Sequence, residues 1–360
     1  MPLLPLEAGA AAPADMSEAM AARRAAERAF IAQLVDGERP PRYAPPVAIA
    51  ASLRDYQQEG VDWLAFLRRF GLGGILCDEM GLGKTLQTLC LLASAAHEQA
   101  ALPASHRLPS LVVCPTTLTA HWAAEATKFC AADFTVLEYV GPAAQRARLR
   151  PALAAAHLVI CSYETARSDG MALREQRWEY VVLDEGHVIK NGRSKTALAL
   201  KGLGARHRLI LSGTPLQNNV LELHGLFDFL IPGFLGTEAE FAAAYARPIH
   251  RARGAKADDA SHAAGEAALA RLHKQVLPFC LRRTKAAVLR ELPPKIIQDR
   301  LVDLHPLQRS LYDAFTRSNS GGAVDAAAAR REIEAGGDEG GGGDEGGADG
   351  GSSSSGGGGG

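Results

Sequence analysis

The sequence predicts an α/β fold built on a parallel β-sheet with helices on both faces, and three observations carry that prediction. Short runs that are apolar on both faces recur along the chain, helical stretches separate most of them, and each run ends in small, polar or charged residues. Runs buried on both sides and alternating with helices are the mark of a covered parallel sheet. Ligands in such sheets sit at the carboxyl ends of the strands, so the polar clusters should meet on one edge.

Composition agrees with a folded chain. The 360 residues are 47% hydrophobic, enough for one sizeable core. No apolar run approaches the roughly 18 to 20 residues of a membrane-spanning helix, and no membrane partner is expected. The six cysteines show neither C-x-x-C nor a zinc spacing and read as small core residues of a reducing compartment. The formal net charge of −1 conceals an asymmetry: seven acids and no Lys or Arg lie between Glu332 and Gly360, leaving +6 on residues 1–331. A mildly basic body suits a polyanion, although such a charge is also ordinary.

In chain order, residues 1–46 form an Ala- and Pro-rich arm, expected to be flexible, with one short helix over SEAMAARRAAERAFIAQLVDG. The next stretch, LRDYQQEGVDWL, is an amphipathic helix in which Gln57 offers the paired donor and acceptor that an adenine edge requires, and in which a plain surface glutamine fits as well. The strand GGILC leads into DEMGLGKT. Its Gly81 and Gly83 let backbone N–H groups face an anion, and Lys84 and Thr85 supply an ammonium and a magnesium-binding hydroxyl at a helix N-terminus. Asp78 stands where the usual phosphate-loop pattern has its first glycine.

The strand LVVC ends in PTTLTAHW, and LVIC ends in SYET. YVVL then ends in DEGH, two adjacent carboxylates at a buried strand tip, which a cation or water network would have to receive. Asp184 suits Mg²⁺ and Glu185 suits polarising a water, whereas solvated acids capping a strand fit an isolated pair. His187 is a poor metal ligand by itself. RLIL ends in SGTPLQNN, where Ser212 and Thr214 either relay hydrogen bonds from the phosphate region or cap the next helix. The tail from 332 to 360, rich in Gly, Asp, Glu and Ser, is expected to be disordered.

The ordered set LRDYQQEGVDWL, DEMGLGKT, CPTTLTAHW, DEGH, VIKNGRSK, LSGTPLQNN and LRRTK resembles the first RecA-like lobe of the Swi/Snf-type ATPases of helicase superfamily 2. That family writes its loop D-E-x-G-x-G-K-T, which accounts for Asp78. The resemblance covers about residues 47 to 315, with the lobe over 47–300 and a helical start of the interlobe region over 301–331. DEGHVIKNG, LFDFLIPGFLGTE and LPPKIIQD are similar to the branch that acts on TATA-binding protein.

The resemblance implies ATP and Mg²⁺ as cofactors, with nucleotide contacts from Gln57, Asp78, Gly81, Leu82, Gly83, Lys84 and Thr85. It implies catalysis by Lys84, Asp184 and Glu185, metal at Thr85 and Asp184, and coupling through His187, Ser212 and Thr214. Duplex DNA would meet Thr116, Thr117, Lys190, Asn191, Arg193 and Lys195 through its phosphates, and the place of action would be the nucleus. Removal of TATA-binding protein from DNA is the function implied; nucleosome remodelling and a catalytically silent nucleotide-binding module are the alternatives. A second RecA-like lobe with arginine fingers belongs to the family, yet HPLQRSLYDAF runs into the Gly-rich tail. The 360 residues are therefore expected to bind ATP and hydrolyse it near background, with Arg282 and Arg283 lying toward the interlobe connection rather than over the nucleotide.

Overall fold

The computed structural model describes residues 40–213, 220–254, 258–289, 298 and 300–318. Both the helix expected within the N-terminal arm and the expected disordered tail lie outside the described residues. The chain divides into two units, Met1–Leu292 and Pro293–Gly360.

The first unit is organised by a seven-stranded sheet in which every pairing is parallel. Its strands are β1 (Gly74–Leu76), β2 (Ser110–Cys114), β3 (Val136–Glu138), β4 (Leu158–Ser162), β5 (Arg177–Asp184), β6 (Gly204–Leu211) and β7 (Cys280–Leu281). Their spatial order is β3-β4-β2-β5-β6-β1-β7. Five of these are the apolar runs read from the sequence. β3 is only partly buried and β7 has two residues, so neither carries the continuous apolar signal of a central strand.

Helices cover both faces. On one side, α2 (Lys84–Gln99) and α3 (Thr119–Phe129) bury Leu89, Leu92, Trp122 and Ala126 against Leu76, Val112, Val182 and Leu211. On the other, α4 (Lys195–Lys201), α5 (Val220–Leu230) and α6 (Asp259–Val276) set Leu200, Phe227, Phe229, Leu272 and Val276 over Ile75, Val113, Leu183 and Ile210. Alternate residues of one strand thus feed opposite cores, as the two-residue period requires. Earlier in the chain, α1 (Asp55–Arg69) sends Leu64 into the first core and Phe66 and Leu67 into the second.

In the second unit the described helix is α7 (Pro306–Ser318). Among the described residues no helix is long and apolar enough to cross a membrane. All six cysteines are free thiols, five of them buried. Burial pushes the Cys77 and Cys114 thiols up to about 12, which makes them core residues rather than nucleophiles.

Candidate nucleotide site at the carboxyl edge of the sheet

Parallel pairing brings the predicted clusters together. Leu76, the last residue of β1, is in register with Leu211 of β6, which is in register with Asp184 of β5. On the far side of β5, Leu183 is paired to Val113 of β2, and Cys114 to Ser162 of β4. The phosphate-loop motif and the clusters after Cys114, Ser162, Asp184 and Leu211 therefore leave one edge side by side.

The loop from Asp78 to Gly83 turns through two glycines at positive φ, Gly81 at 86° and Gly83 at 78°, a conformation that L-residues with side chains rarely hold. Gly83 is also the N-cap of α2, so the loop delivers its amides at the start of a sixteen-residue helix. Lys84 folds back across the loop, its Nζ donating to the Asp78 carbonyl at 2.7 Å. Leu82 is fully buried, its N–H donates to the Glu79 carbonyl and its own carbonyl accepts from Gln57 and Gln87. It braces the loop and has no side-chain contact to offer a ligand.

Asp78 is corrected by the structure. Its carboxylate is fully buried and is consumed within the protein. The Arg283 backbone N–H and Nε donate to Oδ1 at 3.0 and 2.9 Å, a second guanidinium nitrogen donates to Oδ2, and Gln87 adds a 3.4 Å contact. Asp78 therefore fixes the loop to Arg283 instead of touching a nucleotide. Arg283 follows β7, lies under the loop, bonds the Tyr56 carbonyl and Gln87, and sits over the Tyr56 ring at 5.5 Å. Gly60 of α1 packs against this pair, since a Cβ there would lie 1.8 Å from Gln87 Oε1.

Gln57 sits against the loop, its Nε2 donating to the Leu82 carbonyl and its Oε1 accepting from the Arg54 N–H. Both polar ends are occupied in the protein, and a Cβ on Gly83 would come within 2.4 Å of its Nε2. Thr85, half-buried, is the second residue of α2.

Across the edge, Asp184 is buried with Oδ2 accepting from the Trp122 indole at 2.8 Å and Oδ1 accepting from the Glu185 N–H at 3.0 Å. Its carbonyl accepts from the Tyr163 hydroxyl at 2.8 Å. Burial raises the Asp184 pKa, the Trp122 bond opposing it. Glu185 adopts φ 53°, a positive value found at no other non-glycine among the described residues, and pairs with His187 Nδ1 at 3.3 Å. Gly186 is required by packing: a Cβ there would fall 2.4 Å from Ile210 Cγ2. Ser212 is buried, and its N–H donates to the Leu76 carbonyl. Thr214 lies outside the described residues.

A single position ties loop and carboxylate together. A Cβ on Gly213 would be 2.8 Å from Met80 Cγ in the loop and 3.7 Å from Glu185 Oε1. Hard oxygen donors from Thr85 and Asp184 fit Mg²⁺ in kind, and phosphate oxygens and waters would supply the rest of its shell.

The predicted DNA contacts are exposed and largely paired. Thr116 Oγ1 donates to Glu164 at 3.1 Å, Lys190 pairs with Glu222 at 3.3 Å, and Arg193 pairs with Glu238 at 2.9 Å. The Asn191 side chain accepts from the Arg193 N–H, so it shapes its own turn. Thr117 and Lys195 are exposed, the latter opening α4 behind its Ser194 cap. Lys190, Asn191 and Arg193 line a cleft of about 610 Å³ that also holds Glu222, Asp228 and Glu238. A phosphate binding there has to displace carboxylates already in place.

Trp122, Tyr163, Gln87 and Arg283 escaped the sequence reading of the site. Trp122 and Tyr163 follow strand ends, where position alone marked them. Arg283 and Gln87 act through a fold contact spanning 196 residues, which no local pattern encodes.

Comparison with known proteins follows the same outline. Residues 56–337 match the SNF2-related domain family. The chain is 50% identical over 330 residues to the human TATA-binding protein-associated factor 172, covering 90% of this chain and 18% of that protein. It is 50% identical over 321 residues to TATA-binding protein-associated factor MOT1 of Saccharomyces cerevisiae, covering 88% and 17%. Among solved structures, the Sulfolobus solfataricus SWI2/SNF2 ATPase core in complex with dsDNA superposes with a TM-score of 0.59 at 32% identity, covering 79% of this chain and 57% of that one. The chain thus spans less than a fifth of the length of these curated relatives.

Proposed function

The chain belongs to the SNF2-related domain family, and from that premise we propose that it is the ATP-binding lobe of a DNA-dependent ATPase of helicase superfamily 2 that removes TATA-binding protein from DNA. The observation that carries the proposal is the convergence at Gly213, which sets the phosphate loop beside the Asp184–Glu185 pair. The names of the 50%-identical relatives support TATA-binding protein as the target; action on a DNA-bound factor would put the place of action in the nucleus.

In this reading the amides of Gly81 and Gly83 and the start of α2 receive the phosphates, and Lys84 leaves the Asp78 carbonyl for the β- and γ-phosphates. Thr85 and Asp184 would hold Mg²⁺, which when bound neutralises charge between those phosphates. Trp122 and the Glu185 N–H each occupy one side of Asp184, so its remaining lone pairs have a fixed direction. Glu185, half-buried at the turn, orients the attacking water. Ser212 and Gly213, between loop and carboxylates, are placed to pass the state of the nucleotide to the neighbouring strand end. An arginine from a second lobe would complete transition-state stabilisation, worth about 10³ to 10⁵ in rate.

Phosphate release with and without duplex DNA, with Glu185→Gln as the blank, tests the chemistry, and titration of a fluorescent ATP analogue tests binding. Lys84→Ala should lose at least about tenfold in affinity at unchanged thermal stability. Equal affinities in the two proteins would remove the loop from the mechanism. In the intact gene product, ATP-driven release of TATA-binding protein from a TATA duplex, without sliding of nucleosomes, separates the proposed target from the remodelling alternative.

A further inference from the structure

The segment after β7 does more than close the sheet. It runs beside the phosphate loop and touches it at successive points. The Cys77 N–H donates to the Leu281 carbonyl at 2.7 Å, the Glu79 N–H to the Arg283 carbonyl at 2.9 Å, and the Lys285 N–H to Glu79 Oε2 at 2.7 Å. The base of the Lys285 side chain is thereby pinned to the loop. Its far end lies over the exposed face of Gly81: a Cβ built there would be 3.4 Å from Lys285 Cε and 3.5 Å from Nζ. Gly81 lies three residues before Lys84, within the turn whose amides face the phosphates in the reading above.

Charge makes the placement informative. Asp78, the buried acid of the loop, is already neutralised by Arg283. Among the described residues, Lys285 has no ion pair. A half-buried ammonium without a carboxylate, held over a loop that Lys84 also serves, is relieved by an anion between them.

We infer that Lys285 is a second phosphate-binding cation, meeting the terminal phosphates of the nucleotide from the side of the loop opposite α2. This rests on the proposed nucleotide site and deepens it. It also makes the LRRTK stretch a wall of the cradle, with Arg283 positioning the loop and Lys285 reaching the ligand.

Competition of ATP, ADP and AMP against a fluorescent ATP analogue, in the full 360-residue chain and its variants, tests the assignment. Lys285→Ala should weaken Mg·ATP about tenfold, ADP less and AMP not at all, while Lys285→Arg keeps most of the affinity and both melt with the wild type. Lys285→Met, which retains the stem without the charge, should behave like Lys285→Ala and guards against a packing effect. If wild type binds ATP and Lys84→Ala does not, yet Lys285→Ala and Lys285→Met bind like wild type, the inference fails and the nucleotide site stands. Equal losses for ATP and AMP would reduce Lys285 to a loop brace and also overturn it. Failure of wild type to bind ATP would overturn the site itself.

Discussion

Glu185 and Gly186 show how tightly the carboxylate turn is specified. Glu185 carries the strain of a left-handed backbone, and Gly186 leaves no room for a methyl group beside Ile210. Gly186→Ala should therefore cost about 1–3 kcal/mol of stability through overpacking. Urea denaturation of a double-mutant cycle checks this: in an Ile210→Ala background, where Cγ2 is gone, the added cost of Gly186→Ala should largely vanish. An undiminished cost would locate the strain in the backbone. A glycine at this position was visible in the sequence, but its reason was not. Ile210 lies on β6, and only the pairing of β5 with β6 brings it over the turn.

At the scale of elements, the contact between the phosphate loop and the strap after β7 is the central one. Arg283 is the main counterion of a fully buried carboxylate, and breaking such a pair from one side strands the other charge. Arg283→Met should destabilise the fold by about 3–5 kcal/mol in chemical denaturation. Adding Asp78→Asn, which removes the stranded charge, should recover a substantial part. No recovery would mean that Arg283 acts through Tyr56 and Gln87 instead. The central strands and the convergence of their carboxyl ends were legible because each is an apolar run closed by polar residues. β3 and β7 were not, one being half-exposed and the other two residues long, and with β7 hidden the partner of Asp78 was hidden too. Asp78 could be read only as a loop residue, since the sequence places its partner 205 residues away.

For the molecule as a whole, stability should follow pH through a histidine remote from the chemistry. His207 stacks on Tyr180 at 4.9 Å, and its Nδ1 is buried without a partner. Burial, reinforced by Arg68 and Arg206, lowers its pKa to about 4 and outweighs Glu179, 3.9 Å from Nε2. A histidine held neutral in the fold gives stability that is present above its unfolded pKa of about 6.5 and is lost as pH falls from there toward 4. The loss is roughly 2–3 kcal/mol, and His207→Phe should flatten this limb of a melting-temperature profile. A slope equally steep in the variant would assign it to other groups. Duplex binding, resting on exposed cations that must first leave their carboxylates, should be weak, fall steeply with salt and show no preference for a TATA sequence. Fluorescence anisotropy across a salt series measures all three, and a salt-insensitive complex would mean a different face. The partnership of Asp78 with Arg283 also bears on how the protein is made. A ribosome adding about 5–20 residues per second needs roughly 10–40 seconds to travel from the first residue to the second, and through that interval the nascent phosphate loop carries an acid with no counterion. The phosphate loop is thus completed only after the strap behind β7 has been made, and premature termination before residue 283 yields a chain that has the whole loop motif and no counterion for its buried acid.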